Sequence, residues 1–170
     1  HPSGAGLLLD RLGVGRVHGW LVSPYLLALP GLLAVAWITN TLYRVSGAEA
    51  PTQGVIESLE ALSGLRLAGL ALVAVFLQPI LEETLFRGYL WRFLAGREDF
   101  GPRRALLFSS LAFALAHERG AWLPAFYLGL LFGWVRWRTG RTRYAAMIHV
   151  LHNGLVTVWV LLPFTSGVTL

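Results

Sequence analysis

Polar side chains interrupt the apolar runs of this sequence in three stretches. Glu82, Glu83 and Arg87 lie in PILEETLFRGYLWRF, His117 ends the run in SSLAFALAHERG, and His149, His152 and Asn153 lie in AAMIHVLHNGLVTVWV. A carboxylate beside an imidazole in a low-dielectric site is a general-base arrangement, able to take a proton from water. A further imidazole and a carboxamide across the same pocket can donate hydrogen bonds to a developing oxyanion. Those residue types together specify a water-activating hydrolytic centre. Cysteine is absent, so neither a thiolate nucleophile nor a thiolate metal site is available. No serine adjoins these stretches in a nucleophile-elbow pattern.

Their placement needs a reason. An ionised residue at the centre of a membrane helix costs about 2.5–3.5 kcal/mol. Glu83 and Arg87 stand at i, i+4, in the favourable order for an ion pair. Glu82 points about 100° away around the helix, yet at i, i+5 it also reaches Arg87, so spacing leaves open which acid the arginine holds. A structural ion pair that locks two helices needs one acid; the second is in excess. Phe113 and His117 share one helix face at i, i+4, where a histidine at a helix end can also serve as a cap. His149, His152 and Asn153 can act as interhelical glue worth ~0.6–2 kcal/mol. Depth argues for a common purpose. At 1.5 Å per residue, Glu82 lies about 15 Å from Arg92 and His117 about 20 Å from Arg104. His149 and Asn153 lie about 9 and 15 Å from Arg143. Independent glue has no reason to align in this way; one shared hydrated pocket does.

The elements that must carry these residues are apolar helices. The chain has 170 residues, of which 55% are hydrophobic and only 14% charged, against about 25% charged in soluble domains. The composition therefore specifies a polytopic membrane protein, and its apolar runs an all-α transmembrane helix bundle of about five spans. The expected spans run from Trp20 to Tyr43, Arg66 to about Leu94, Arg104 to about His117, Trp122 to about Trp137, and Tyr144 to about Phe164. Pro30-Gly31 predicts a kink in the first, and Pro79 a bend just before the glutamates of the second. The third and fourth are short, covering about 20–25 Å. VIESLEALSGL, between the first two spans, reads as a short interfacial helix. The corresponding divisions are a lead-in (1–19), a first span with its polar connection (20–65), a core (66–164) and a tail (165–170). The segment HPSGAGLLLD lacks a basic region ahead of its short apolar run, so it makes a poor signal peptide.

A net charge of +5 would suit nucleic acid, but the basic residues, all arginine, cluster at the ends of apolar runs, which points to membrane topology and no nucleic acid. Arg11 and Arg16, then Arg92, Arg97, Arg103 and Arg104, then Arg136, Arg138, Arg141 and Arg143 fall on one side of a five-span path. That side, with the N-terminus, is expected to be cytoplasmic in a multi-pass cell (inner) membrane protein.

EETLFR, FALAH and HVLHN, in this order, resemble the three motifs EExxxR, FxxxH and HxxxN/D of the CPBP intramembrane proteases. That family includes the CAAX prenyl endopeptidases and the bacterial Abi proteins. The resemblance covers about Arg66 to Phe164 and implies a four-helix catalytic core within the bundle. It implies an intramembrane endopeptidase in which Glu82 and His117 activate the attacking water and His149 and Asn153 form the oxyanion hole. Glu83 and Arg87 would then orient the site and Phe113 pack beside it. His152 stands outside the motif, as a supporting partner or spare ligand. The family leaves metal dependence open: a divalent metal such as zinc is conceivable, with Glu82, His117 and His149 as ligands. The implied partners are the lipid bilayer, a peptide or membrane-protein substrate, and a protein partner in a membrane complex. A catalytically idle scaffold is the alternative reading. An ion transporter is disfavoured by five spans without an internal repeat.

Overall fold

The computed structural model describes residues 18–48 and 54–162. The lead-in up to residue 17 and the tail at 165–170 lie outside the described residues. Those described contain helices and no strand. They are α1 (His18–Ser46), α2 (Gly54–Ala61), α3 (Gly64–Ala95), α4 (Gly101–Leu115), α5 (Trp122–Thr139) and α6 (Thr142–Leu161). Each expected span has its helix, and the expected short helix between the first two is α2.

Among the described residues three stretches are long and apolar enough to cross a membrane: Val22–Ser46 within α1, all of α3, and α6. Helices α4 and α5, with 15 and 18 residues, are the two that the sequence marks as short. Many large apolar side chains lie on the exterior: Leu27 is 82% exposed, and Leu42, Tyr89 and Trp159 also face outward. Such a surface is stable against lipid and not against water. The chain is a helical membrane protein.

Small residues let the inner helices approach closely. A Cβ on Gly129 of α5 would come within 3.0–3.2 Å of Ser110 on α4, and one on Gly133 would collide with Leu106. With Ala105, Ser109 and Ala114 buried on α4, this is small-residue packing of the kind that replaces the hydrophobic drive inside a bilayer. On the other side of α5, Tyr127 fills a notch left by Gly31 of α1 and donates to the Ala28 carbonyl at 3.0 Å. Helix α1 runs through both Pro24 and Pro30. Gly140 ends α5 in the left-handed conformation (φ 70°), its N–H bonded to the Arg136 carbonyl at 2.9 Å. Arg141 alone then leads into α6, so α5 and α6 must be neighbours.

Helix α3 is wound unevenly. Val73–Leu77 and Thr84–Leu90 are π-helical, flanking the α-helical Gln78–Glu83. In the first π turn the Gln78 N–H bonds the Val73 carbonyl, five residues back. The matching donor for the Ala74 carbonyl would be residue 79, a proline without an N–H. The irregularity expected at Pro79 thus takes the form of a wide turn that frees a carbonyl, a feature common at functional sites.

Candidate active site

Glu82 and Glu83 are adjacent on α3 but have separate surroundings. Glu83 and Arg87 are fully buried and paired at 2.9 Å. The second guanidinium nitrogen of Arg87 donates to the Gly129 carbonyl at 3.0 Å. Its carbon sits 4.4 Å from the Phe113 ring centroid, a favourable place for a cation. The choice that spacing left open is therefore settled: Arg87 holds Glu83. About 100° further around the helix, Glu82 lines a cavity of about 340 Å³. Gln78, one turn earlier, donates to Glu82 Oε1 at 2.8 Å and leaves Oε2 turned toward α6.

His149 joins the two acids. Its Nδ1 lies 3.2 Å from Glu83 Oε1 and its Nε2 lies 3.7 Å from Glu82 Oε2. The ring is buried, stacked on Phe132 at 4.5 Å between centroids and met edge-on by Phe113 at 5.7 Å. One helical turn on, Asn153 donates its amide N–H to the freed Ala74 carbonyl at 2.9 Å. The wide turn before Pro79 thus positions the Asn153 carboxamide at the cavity wall.

His117 lies just beyond the end of α4. Its Nδ1 is 2.8 Å from the Phe113 carbonyl; only an N–H can bond there, so Nε2 is left as the bare acceptor. Glu82, His117, His149 and Asn153, carried by α3, α6 and the end of α4, line one cavity. Among the described residues Glu82 and His117 form no direct hydrogen bond or ion pair.

His152 also lines the cavity, and its Nδ1 is 3.0 Å from the Tyr25 hydroxyl of α1. Helix α2 covers the cavity with Val55, Ile56 and Leu59, and Gly54 donates its N–H to Glu118 at 3.1 Å. Sequence reasoning missed Gln78, Tyr25, Phe132 and the Gly129 carbonyl. Only Gln78 carried a signal, its i, i+4 spacing to Glu82.

Among the described residues no three His, Asp or Glu side chains converge closely enough to hold a metal ion. His149 turns both nitrogens to carboxylates and His117 commits Nδ1 to a carbonyl. As placed, these side chains do not form a metal ligand set.

Fold and site together define a helical membrane protein in which Glu, His and Asn side chains from separate helices line one cavity. A family model described as type II CAAX prenyl endopeptidase Rce1-like matches residues 64–155, more than half of the chain. The chain belongs to that family. It is also similar to the membrane-embedded CAAX protease MroQ of Staphylococcus aureus (strain USA300), with 35% identity over 89 residues, 49% of this chain and 36% of MroQ. The match thus spans little more than a third of that relative's length. No solved structure matches the chain.

Proposed function

We propose that this protein is an intramembrane endopeptidase that hydrolyses a peptide bond with water activated by Glu82 and His117. The observation that carries the reading is the convergence of Glu82, His117, His149 and Asn153 on one cavity, with the Glu83–Arg87 pair sealed behind it.

Water between Glu82 Oε2 and His117 Nε2 donates one hydrogen to each acceptor, leaving an oxygen lone pair for the scissile carbonyl. As the water oxygen bonds to the carbonyl carbon, Glu82 takes a proton and the carbonyl oxygen becomes an oxyanion. To serve as an oxyanion donor while Glu83 holds Nδ1, His149 must carry a hydrogen on each ring nitrogen. In that state Nδ1–H is held by Glu83 and Nε2–H serves the oxyanion. The second amide hydrogen of Asn153 is the other donor. The C–N bond then breaks and the proton on Glu82 passes to the leaving amine.

The substrate is a peptide or membrane-protein segment. Leu32, Leu33 and Ala36 of α1, with the α2 residues above, give the chamber apolar walls suited to hydrophobic residues flanking the scissile bond. The arginine-rich ends face the cytoplasm of the cell (inner) membrane by the positive-inside rule.

The test is Glu82→Gln, which keeps shape and removes the base. Cleavage of a reporter peptide in proteoliposomes should fall by about 10²–10⁴-fold with folding unchanged. Full cleavage by the folded variant refutes Glu82 as the base. Absence of cleavage by the wild-type chain across a library of apolar peptides would favour the idle scaffold.

A further inference from the structure

The outer face of the α3–α6 pair, turned away from the catalytic chamber, carries a groove of about 650 Å³. Phe76, Ile80 and Thr84 of α3 line one wall; Thr142, Ala146 and Val150 of α6 line the other. The helices run antiparallel, since Asn153 meets Ala74 and a Cβ on Gly88 would meet Thr142. Both walls therefore step four residues at a time along the groove, over about 12 Å. Phe76, Ile80 and Met147 are exposed there, so the walls face the bilayer.

One end of the groove is cationic. Arg143 lines it and donates a guanidinium N–H to the Tyr144 hydroxyl at 3.1 Å. Thr142 accepts a hydrogen bond at 3.1 Å from Arg136 Nε. Arg136 is only 9% exposed, and its guanidinium carbon lies 5.0 Å from the Trp91 ring centroid. Among the described residues no carboxylate pairs with Arg136 or Arg143, whereas Arg87, the other buried arginine, has its own glutamate. A buried guanidinium without an acid calls for an anion from outside the protein.

We propose that this groove binds one anionic phospholipid, its phosphate at Arg143 and Thr142 backed by Arg136, its acyl chain along the apolar α3–α6 wall. Charge and shape select the occupant together. A zwitterionic lipid brings a compensating cation to the arginines, and a free phosphate leaves the apolar wall bare. The site stands independently of the protease reading. It has a bearing on it nonetheless, because the same stretch of α3 carries Glu82 and Glu83 and the same stretch of α6 carries His149. A lipid seated between them braces the spacing on which the His149 contacts depend.

The experiment uses the full chain, purified in a neutral detergent. Bound lipid is read by native mass spectrometry and thermal stability after adding dioleoyl phosphatidylglycerol, dioleoyl phosphatidylcholine or inorganic phosphate. Phosphatidylglycerol should be retained and raise the Tm; the other two should not. Arg143→Gln, an exposed substitution, should weaken retention about fivefold, the share of one arginine near an anionic surface. Ala146→Phe should fill the groove and abolish retention with the arginines intact. Equal retention of both lipids overturns the proposal, as does unchanged phosphatidylglycerol binding by Arg143→Gln. Equal stabilisation by inorganic phosphate also overturns it, marking an anion site without an acyl-chain groove.

Discussion

Among the described residues two arginines are buried, and they are partnered in opposite ways. Arg87, about two turns before the end of α3, has a carboxylate at 2.9 Å, a backbone carbonyl at 3.0 Å and an aromatic face. Arg136, at the end of α5, has a threonine hydroxyl and an indole face but no acid. The difference follows from depth within the bundle. Arg87 is fully enclosed by protein, where nothing outside can compensate a charge, so the chain must supply the counter-charge itself. At the end of a span, headgroups and water are within reach, and an incomplete partner set is tolerable. The first arginine thus belongs to the fold and the site; the second faces the membrane's surroundings.

The strongest way to break this contrast is to remove each guanidinium. Arg87→Gln leaves Glu83 buried with His149 as its remaining side-chain partner, and should cost about 3–5 kcal/mol in unfolding measurements in detergent, with loss of peptide cleavage. Replacing both partners with apolar residues, Glu83→Leu with Arg87→Met, should recover much of that stability, because no charge is stranded. Activity should stay lost, since His149 has then lost its Nδ1 partner. Arg136→Gln strands no acid and should cost about 1 kcal/mol or less. Equal losses at the two positions would mean that depth does not decide how an arginine is satisfied.

A finer test acts on the second Arg87 acceptor. Gly129 presents its carbonyl to Arg87 and its bare Cα to Ser110 of α4. Gly129→Ala drives a methyl group against the Ser110 backbone, which has no rotamer by which to yield. The helices must separate, at a cost of about 1–3 kcal/mol. The Gly129 carbonyl moves with α5, so cleavage should fall along with stability. An unfolding midpoint equal to wild type would show that the α4–α5 approach is looser than the structure has it.

How much of this was legible beforehand depends on the range of each contact. The i, i+4 pairing of Glu83 with Arg87 is a property of a single helix, and spacing alone exposed it as one of two options. Choosing between the options required α5, because the Gly129 carbonyl and the aromatic rings around Arg87 fix the side of α3 that is sealed. The π turns had only Pro79 as a trace, since hydrophobic periodicity cannot register one extra residue in an apolar run. Depth counting brought the polar residues to one level, and they do line one cavity. It could not foresee that His149 would meet both glutamates, which depends on the lateral register of α6 against α3. Tyr25 lies 127 residues from its partner His152, and no local pattern announces a hydroxyl on a separate span. Helix α2 was readable as a short helix, but its place over the chamber follows from where Val55, Ile56 and Leu59 pack.

The smallest expected effect probes the Arg136 side of the contrast. Thr142→Val keeps the volume and branching of the side chain and removes the hydroxyl that receives Arg136 Nε. In a neutral detergent this takes away the guanidinium's protein acceptor, and because the end of the span is wet the loss should be that of one ordinary hydrogen bond, about 0.5–1 kcal/mol. With phosphatidylglycerol present, a phosphate oxygen can accept in place of the hydroxyl, and the penalty should shrink toward zero. The measurement is the unfolding midpoint of wild type and variant in both media. The informative quantity is the difference between the two penalties. Arg87 should show no such dependence, because lipid cannot reach it. If the Thr142→Val penalty is the same in both media, Arg136 is compensated wholly within the protein, and the two arginines differ only in which internal groups hold them.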